Sequence, residues 1–413
     1  MKGSILVLTL VLACGGSGGG GPLDSGTPGG DAGGVPADAG PGGDAGRPHD
    51  AGPDGDAGSP HDAGADAGPT PDAGIPPDGG TKSDGGTSNG ARIGLPPAGS
   101  VYHGVFPAGT TQPDADISMK AADDYVDAVG RPLAWIYFSN EWYVSKQFPR
   151  VTAEAIRARG AVPFIRLHMR SQNRQLIPDP RYTLDRINAG EFDGELRAWA
   201  DGAKAFGTAL IVQYGTEVNG DWNPWSAPYN GGYPAGPAKF QQAFRHIVEV
   251  MRDQGANNIT WALHLNGENW PSDTPLNNAG AYYPGDDVVD WIGFSMYQSQ
   301  GPDLTRCRDI AALLEAREAE LGDVARRKPI FFFELGTNLV ATSCKPLEWT
   351  QKTLEDLLGG RWPEVHGFSW WSETFTDGSS VMNVPYTPGL RTVFHDVLNG
   401  PLGPHLQDRP ILR

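Results

Sequence analysis

From residue 102 onward the chain alternates short apolar runs with amphipathic helical stretches, and this alternation limits the fold more than any other feature. Strand candidates lie at 102–106, 133–138, 162–167, 210–214, 259–264, 288–294, 329–333 and 365–370. Helix candidates lie at 117–129, 151–159, 194–207, 237–254, 304–321, 348–359 and 387–399. The period is clearest in 237–254, where Phe240, Phe244, Ile247, Val248 and Met251 fall on one face with Lys, Arg and Glu between them. Eight strands alternating with helices over about 300 residues is the count of a (β/α)8 barrel, the TIM barrel of the α/β class. The competing architecture, an open doubly wound sheet, usually carries a Gly-rich phosphate loop after an early strand, and none is present.

Composition sets the domain limits. Residues 15–95 are almost entirely Gly, Ala, Pro, Asp, Ser and Thr, with no aromatic residue. Such a stretch cannot bury enough apolar surface to offset its ordering entropy, so it reads as a disordered linker. Its Asp-Ala-Gly repeats make it a solvated, self-repelling spacer rather than a solenoid. Asp54-Gly55-Asp56 lacks the twelfth-position ligand of a calcium loop. Residues 96–413 hold every Trp, Tyr and Phe, enough for one large core and one domain. The formal charge of −17 comes about half from the linker, opposed there only by Arg47, Lys82 and Arg92. No basic patch points to nucleic acid, and the acidic balance argues against a polyanionic partner.

Residues 1–14 read as an export signal: Lys2, an apolar stretch from Ser4 to Ala13, then Cys14. The apolar stretch is too short to span a bilayer as a mature helix. Val11-Leu12-Ala13-Cys14 resembles a bacterial lipobox, in which the Cys is lipidated and becomes the new N-terminus. The expectation is a membrane partner through that lipid anchor, with the protein in the cell envelope; an ordinary secretory signal with an incidental Cys is the alternative. Gly15 after the Cys favours the outer membrane. Export also permits disulfides. Cys307 and Cys344 each fall just beyond consecutive strand candidates on one rim, and a bridge between them is expected.

Two glutamates end apolar strands and are followed by turn chemistry. Glu217 follows the fourth strand and precedes a loop with Asn219, Trp222, Asn223, Pro224 and Trp225; Glu334 ends the seventh strand. Barrel active sites lie at the strands' carboxyl ends, so both side chains are expected in one cleft although 117 positions separate them. Double-displacement hydrolysis of a glycoside needs two carboxyls about 5–5.5 Å apart. Glu217 is the expected general acid/base, requiring a proton at neutral pH, and Glu334 the expected nucleophile, remaining ionised. Each could instead be a surface residue at a strand end.

Four segments, taken in order, are similar to those of glycoside hydrolase family 26, the β-mannanase family. They are Glu217 to Trp225, Tyr282 to Phe294, Pro329 to Gly336, and Phe368 to Trp371. The resemblance spans about 100–400 and implies the barrel of the large retaining clan, with Glu217 as acid/base and Glu334 as nucleophile. It also implies that Tyr297 hydrogen-bonds the nucleophile. One position departs: the family has His before the acid/base, and this chain has Thr216. The family's His would contact the sugar in the central subsite, so a different sugar or weaker activity is implied. Arg166 and His168, after the third strand, are candidates for substitute polar contacts, or form an ordinary rim ion pair.

Sugar rings offer apolar C–H faces that lie well on indole, which makes Trp222, Trp225, Trp270 and Trp371 the stacking candidates. Trp135, Trp261, Trp291 and Trp370 sit inside strands and belong to the core. Asn219 either bonds a sugar hydroxyl or serves the turn. His103, His168, His264 and His366 lie near strands, but no His-x-Glu or Cys-x-x-Cys spacing supports a metal, and no Gly-x-Ser-x-Gly elbow is present. The chain is therefore expected to be a cofactor-free and metal-free monomer. Its expected activity is that of a retaining endo-β-glycanase on a polysaccharide substrate, mannan or a related β-linked polymer. β-1,3-Xylan and mixed-linkage β-glucan are alternative substrates. A non-catalytic polysaccharide-binding protein on a decayed barrel is the alternative of another class.

Overall fold

A computed structural model describes residues 91–109, 117–300, 304–375 and 377–413. These residues fall in one compact unit. The expected export signal, Cys14 and the linker up to residue 90 lie outside the described residues.

Eight strands run in order around the unit: β1 Val101–Gly109, β2 Trp135–Glu141, β3 Val162–His168, β4 Leu210–Tyr214, β5 Ile259–Asn266, β6 Trp291–Tyr297, β7 Ile330–Gly336 and β8 Val365–Glu373. Every neighbouring pair is parallel, β8 pairs with β1, and β1 pairs with β2, so the sheet closes on itself. The fold is a (β/α)8 barrel. Nine helices are found among the described residues: α1 Met119–Val129, α2 Arg150–Ala158, α3 Leu184–Asn188, α4 Asp193–Phe206, α5 Ala235–Asp253, α6 Ile310–Leu321, α7 Asp323–Arg327, α8 Pro346–Leu358 and α9 Pro388–Leu398.

Local chemistry sets the helix limits. Ser118 accepts a hydrogen bond from the Ala121 N–H and starts α1, and Gly130, at φ 71°, ends it. On α5 the stripe of Phe240, Phe244, Ile247, Val248 and Met251 is fully buried against the barrel. Inward side chains fill the barrel as packed aromatic layers. Trp135 crosses the axis, donates its Nε1–H to Ser369 Oγ at 2.6 Å, and meets Trp291 and Phe331. It fits because β1 has Gly104 opposite, where a Cβ would stand 2.1 Å from Trp135 Nε1. Trp261 and Trp370 face outward, against Phe244 of α5 and Phe394 of α9.

The sequence expectations shift at two places. The sixth strand begins at Trp291 rather than residue 288: Val288 and Val289 are buried but lie in a turn bonded to the Gly285 carbonyl. Their apolar character reflects packing, not extension. The helix expected from 304 begins only at Ile310, where Asp309 accepts from the Ala311 N–H, because the preceding segment is fixed on the rim by Cys307. Between β5 and β6 there is no α-helix, only a 3₁₀ turn at Ala279–Tyr282.

The floor of the barrel is closed by both ends of the folded unit. A short strand, β9 Leu406–Gln407, runs beside the start of β1. Arg92 and Gly94 pair in antiparallel fashion with Arg413 and Ile411. Arg92 reaches the Asn257 carbonyl and Asp290, just ahead of β5 and β6, and Arg409 reaches the Arg159 carbonyl, ahead of β3.

Candidate active site

β4 delivers Glu217 in an uncommon backbone state. After Tyr214 the chain turns through Gly215 at φ 75°, and Glu217 itself has φ 52°. The left-handed region costs a side-chain-bearing residue on the order of 1–3 kcal/mol, so it persists only where its surroundings fix it. The loop supplies that support. The Thr216 carbonyl accepts from Asn223 Nδ2 at 3.0 Å and from Trp225 Nε1 at 2.8 Å. Asn219 donates to the Asn266 carbonyl at 3.0 Å and accepts from the Asn266 N–H at 2.7 Å, fastening the loop to the end of β5. Glu217 is half-buried, and Trp222 donates its Nε1–H to Oε2 at 2.9 Å.

β7 delivers Glu334 from a bulge. Phe294 pairs with Phe332 but Ser295 pairs with Glu334, so Phe333 is an extra residue on β7 and the strand is re-aimed at this point. Glu334 is buried. Tyr297 donates to its Oε2 at 2.9 Å and Tyr137 to its Oε1 at 3.3 Å. Arg166 Nη1 stands 3.8 Å from the same Oε1, and its guanidinium lies over the rings of Phe106, Tyr137 and Trp371. Burial raises both phenols well above the ordinary tyrosine value, and the charges of Glu334 and Glu217 push in the same direction. Both tyrosines therefore stay protonated donors at neutral pH. Glu217 acts electrostatically on the two hydroxyls that touch Glu334, so the two carboxyls, from β4 and β7, lie near one another at the carboxyl-end mouth of the barrel.

Several candidates sit elsewhere than the sequence suggested. Arg166 and His168 lie inside β3 rather than beyond it, and both are buried. His168 is occupied on both nitrogens, Nδ1 by Glu141 Oε1 at 2.7 Å and Nε2 by Thr216 Oγ1 at 2.9 Å, and so is a core contact rather than a free sugar contact. Trp225 corrects the stacking assignment: it is 1% exposed, and its ring lies against His168 and Tyr214. A Pro- and Asn-rich loop can fold back under itself, and this one does. Asn219 is fully buried and serves the turn. Trp371 is buried, stacked on Phe106 at 4.0 Å, and donates to Glu373 Oε2 at 2.8 Å. Trp222 and Trp270 remain half-buried at the mouth. Cys307 and Cys344 form a disulfide joining the loops that follow β6 and β7.

The residues not picked out from sequence are polar side chains buried in strands. Glu141, at the end of β2, is held by His168 and by Arg170 at 2.6 and 2.7 Å. Arg170 and His168 thus hold its carboxyl down to about 2, against the opposing effect of burial. Burial lowers His168 to about 4 although Glu141 opposes the shift. Gln213 and Tyr137 complete the cluster. The signal available was parity: Trp135 and Tyr137, two apart, share the inward face of β2. Among the described residues no group of three His, Cys, Asp or Glu is arranged to hold a metal ion, and no helix is long and apolar enough to cross a membrane.

The model of glycosyl hydrolase family 26 matches residues 188–331, from the last residue of α3 through the start of β7 and including Glu217 but not Glu334. Over these residues the barrel is similar to glycosyl hydrolase family 26. Endoglucanase H of Acetivibrio thermocellus is 28% identical over 190 residues, 45% of this chain and 19% of that protein. A β-1,3-xylanase of a Vibrio species is 28% identical over 107 residues, 26% of this chain and 20% of that protein. The chain thus spans about a fifth of the length of these curated relatives. A family 26 β-mannanase from Bacteroides ovatus superimposes with TM-score 0.54 at 15% identity, covering 75% of this chain and 90% of that one. A modular endo-β-1,4-mannanase from Cellulomonas fimi gives 0.52 at 20% identity, covering 75% and 72%. At these identities the likeness speaks for the fold. Thr216, the residue before Glu217, has its hydroxyl 2.9 Å from His168 Nε2.

Proposed function

We propose that the barrel is a retaining endo-β-glycanase acting on mannan or a related β-linked polysaccharide. One observation carries this reading: Glu217 bears electrostatically on the same two phenols, Tyr137 and Tyr297, that donate to Glu334. Two carboxyls so placed that one acts on the donors of the other fit double displacement. Glu334, ionised and held by two hydroxyls, attacks the anomeric carbon from one face. Glu217 protonates the departing glycosidic oxygen as that bond breaks. It then takes a proton from water, which attacks the glycosyl–enzyme bond, frees the sugar with retained configuration and returns Glu334 as carboxylate. Glu217 is half-buried, and the Trp222 N–H fixes the position of its Oε2 at the mouth.

β-1,3-Xylan and mixed-linkage β-glucan are the other substrates to weigh, because the curated relatives are named as an endoglucanase and a β-1,3-xylanase. The test is reducing-sugar release from a panel of β-mannan, β-1,3-xylan and β-glucans by the wild type, Glu217→Ala and Glu334→Ala. Release from β-mannan, its loss in Glu334→Ala, and partial recovery of Glu217→Ala on aryl glycosides with good leaving groups are expected. Binding of a glycan without release by the wild type would favour a non-catalytic polysaccharide-binding barrel instead.

The same reading puts the enzyme in the cell envelope, held by a lipid on Cys14. Labelled palmitate should enter the protein expressed in a Gram-negative host and should not enter Cys14→Ala; equal labelling of both would remove the anchor.

A further inference from the structure

Gln213 lies in β4, is fully buried, and touches neither carboxyl, yet its side chain spans the supports of both. Its Nε2 donates to the Tyr137 oxygen at 2.6 Å and to Thr216 Oγ1 at 2.8 Å. Both N–H bonds are thereby spent on hydroxyl oxygens, and this fixes the direction of each hydroxyl proton. The Tyr137 O–H must point onward, to Glu334 Oε1 at 3.3 Å, where His264 Nδ1 stands at the same distance from the phenol oxygen. The Thr216 O–H must point away from Gln213, toward His168 Nε2 at 2.9 Å. His168 then presents its Nδ1–H to Glu141 Oε1 at 2.7 Å, and Arg170 holds that carboxylate with two further bonds. The result is one connected run of hydrogen bonds that all point outward from Gln213, one arm through Thr216 and His168 to Glu141 and the other through Tyr137 to Glu334. It passes through the residue next to Glu217. Every group in it is buried, so water cannot substitute for a missing link.

We infer that Gln213 is a positioning residue, whose amide sets the polarity of the Tyr137 and Thr216 hydroxyls and so orients the donors of the nucleophile and the turn bearing the acid/base together. This rests on the hydrolase reading for its kinetic consequence and on geometry alone for the hydroxyl directions, and the two are separately measurable. Gln213→Met keeps length and removes both donors. Gln213→Glu keeps shape and replaces both donors by acceptors, which turns both hydroxyls around.

The kinetic test is a double-mutant cycle of Gln213→Met with Tyr137→Phe on the best glycan of the panel. Each single change should lower kcat about tenfold and leave KM within about twofold, the scale of one hydrogen bond to a charged group. The double variant should be little worse than either single, because both break the same link. The second test is nitrogen NMR of the full chain carrying labelled histidine. In the wild type His168 Nε2 should read as an unprotonated acceptor. In Gln213→Glu, with the Thr216 hydroxyl drawn to the new carboxylate, it should shift toward the protonated form although position 213 does not touch it. Fully additive kcat losses, or a His168 resonance unmoved by Gln213→Glu, would overturn the proposal. A wild type that hydrolyses no glycan, with the His168 shift still seen in Gln213→Glu, would end the hydrolase reading and leave the hydrogen-bond run standing. Should Gln213→Met fail to fold, Gln213→Glu serves in both tests.

Discussion

At Glu217 the backbone adopts a conformation that side chains disfavour, and Thr216, Asn219 and Trp225 are the residues that hold it there. The opposite strategy serves Glu334, where ordinary strand geometry is bulged and two phenols supply the donors. The Tyr297 bond, 2.9 Å to a carboxylate in a buried setting, is the better of the two. A hydrogen bond to a charged group contributes roughly 1.5–3 kcal/mol, so Tyr297→Phe should cost kcat roughly 10–100-fold. KM should change little, since the phenol faces the carboxyl rather than the bulk of a glycan. Initial-rate kinetics decide it, and an unchanged kcat would remove Tyr297 from the support of Glu334. What was legible at this scale was residue type at a strand end, which singled out both glutamates. What was not legible was which way a loop folds: Trp222 and Trp225 stand three apart in one loop, yet one lies half-open at the mouth and the other is sealed under it.

Among the elements, the loops after β6 and β7 are tied by a covalent bond. The Cys307–Cys344 bond joins them across 37 positions. Beside it Gln298 donates to the Cys344 carbonyl at 2.7 Å and accepts from Thr337 Oγ1 at 2.6 Å, while the Arg308 N–H meets the Gln298 carbonyl. Closing a loop of that length restricts the unfolded chain by about 3–4 kcal/mol. Replacing both cysteines by serine should therefore lower stability by that order, read as a lower denaturant midpoint with a steeper slope from the less restricted unfolded chain. An unaltered midpoint would show that Gln298 and its neighbours hold the loops without the sulfurs. The strands themselves were readable because each is a short apolar run bounded by polar turns, and α5 because its stripe repeats every three to four residues. The start of β6 was not: Val288 and Val289 are apolar for the sake of packing, and periodicity cannot separate that from extension. Gln213 was invisible for the reverse reason, a polar residue inside an apolar run whose partners come from β2 and the turn after β4.

Taken whole, the molecule buries several groups in the form that acid destroys. Burial holds His168 at about 4, His103 at about 3 and His264 well below the ordinary value, so all three fold neutral. Between about pH 6.5 and 4 the unfolded chain binds protons at these sites and the folded chain does not, so stability falls as pH falls. Three such groups give a slope of up to about 4 kcal/mol per pH unit, at about 1.4 for each. Glu141, held at about 2, adds its loss below about pH 4.5. Thermal unfolding from pH 8 to pH 4 should show a steep acid decline, and His168→Gln should flatten it by about a third; a flat profile would mean that these imidazoles titrate freely. One further consequence follows from the meeting of residues 92–94 and 411–413 beneath β1. With both ends of the barrel side by side, a short linker could splice them and new termini could be cut elsewhere, giving a circular permutant. A reporter fused after Arg413 would emerge on the blind side, away from any glycan lying in the mouth.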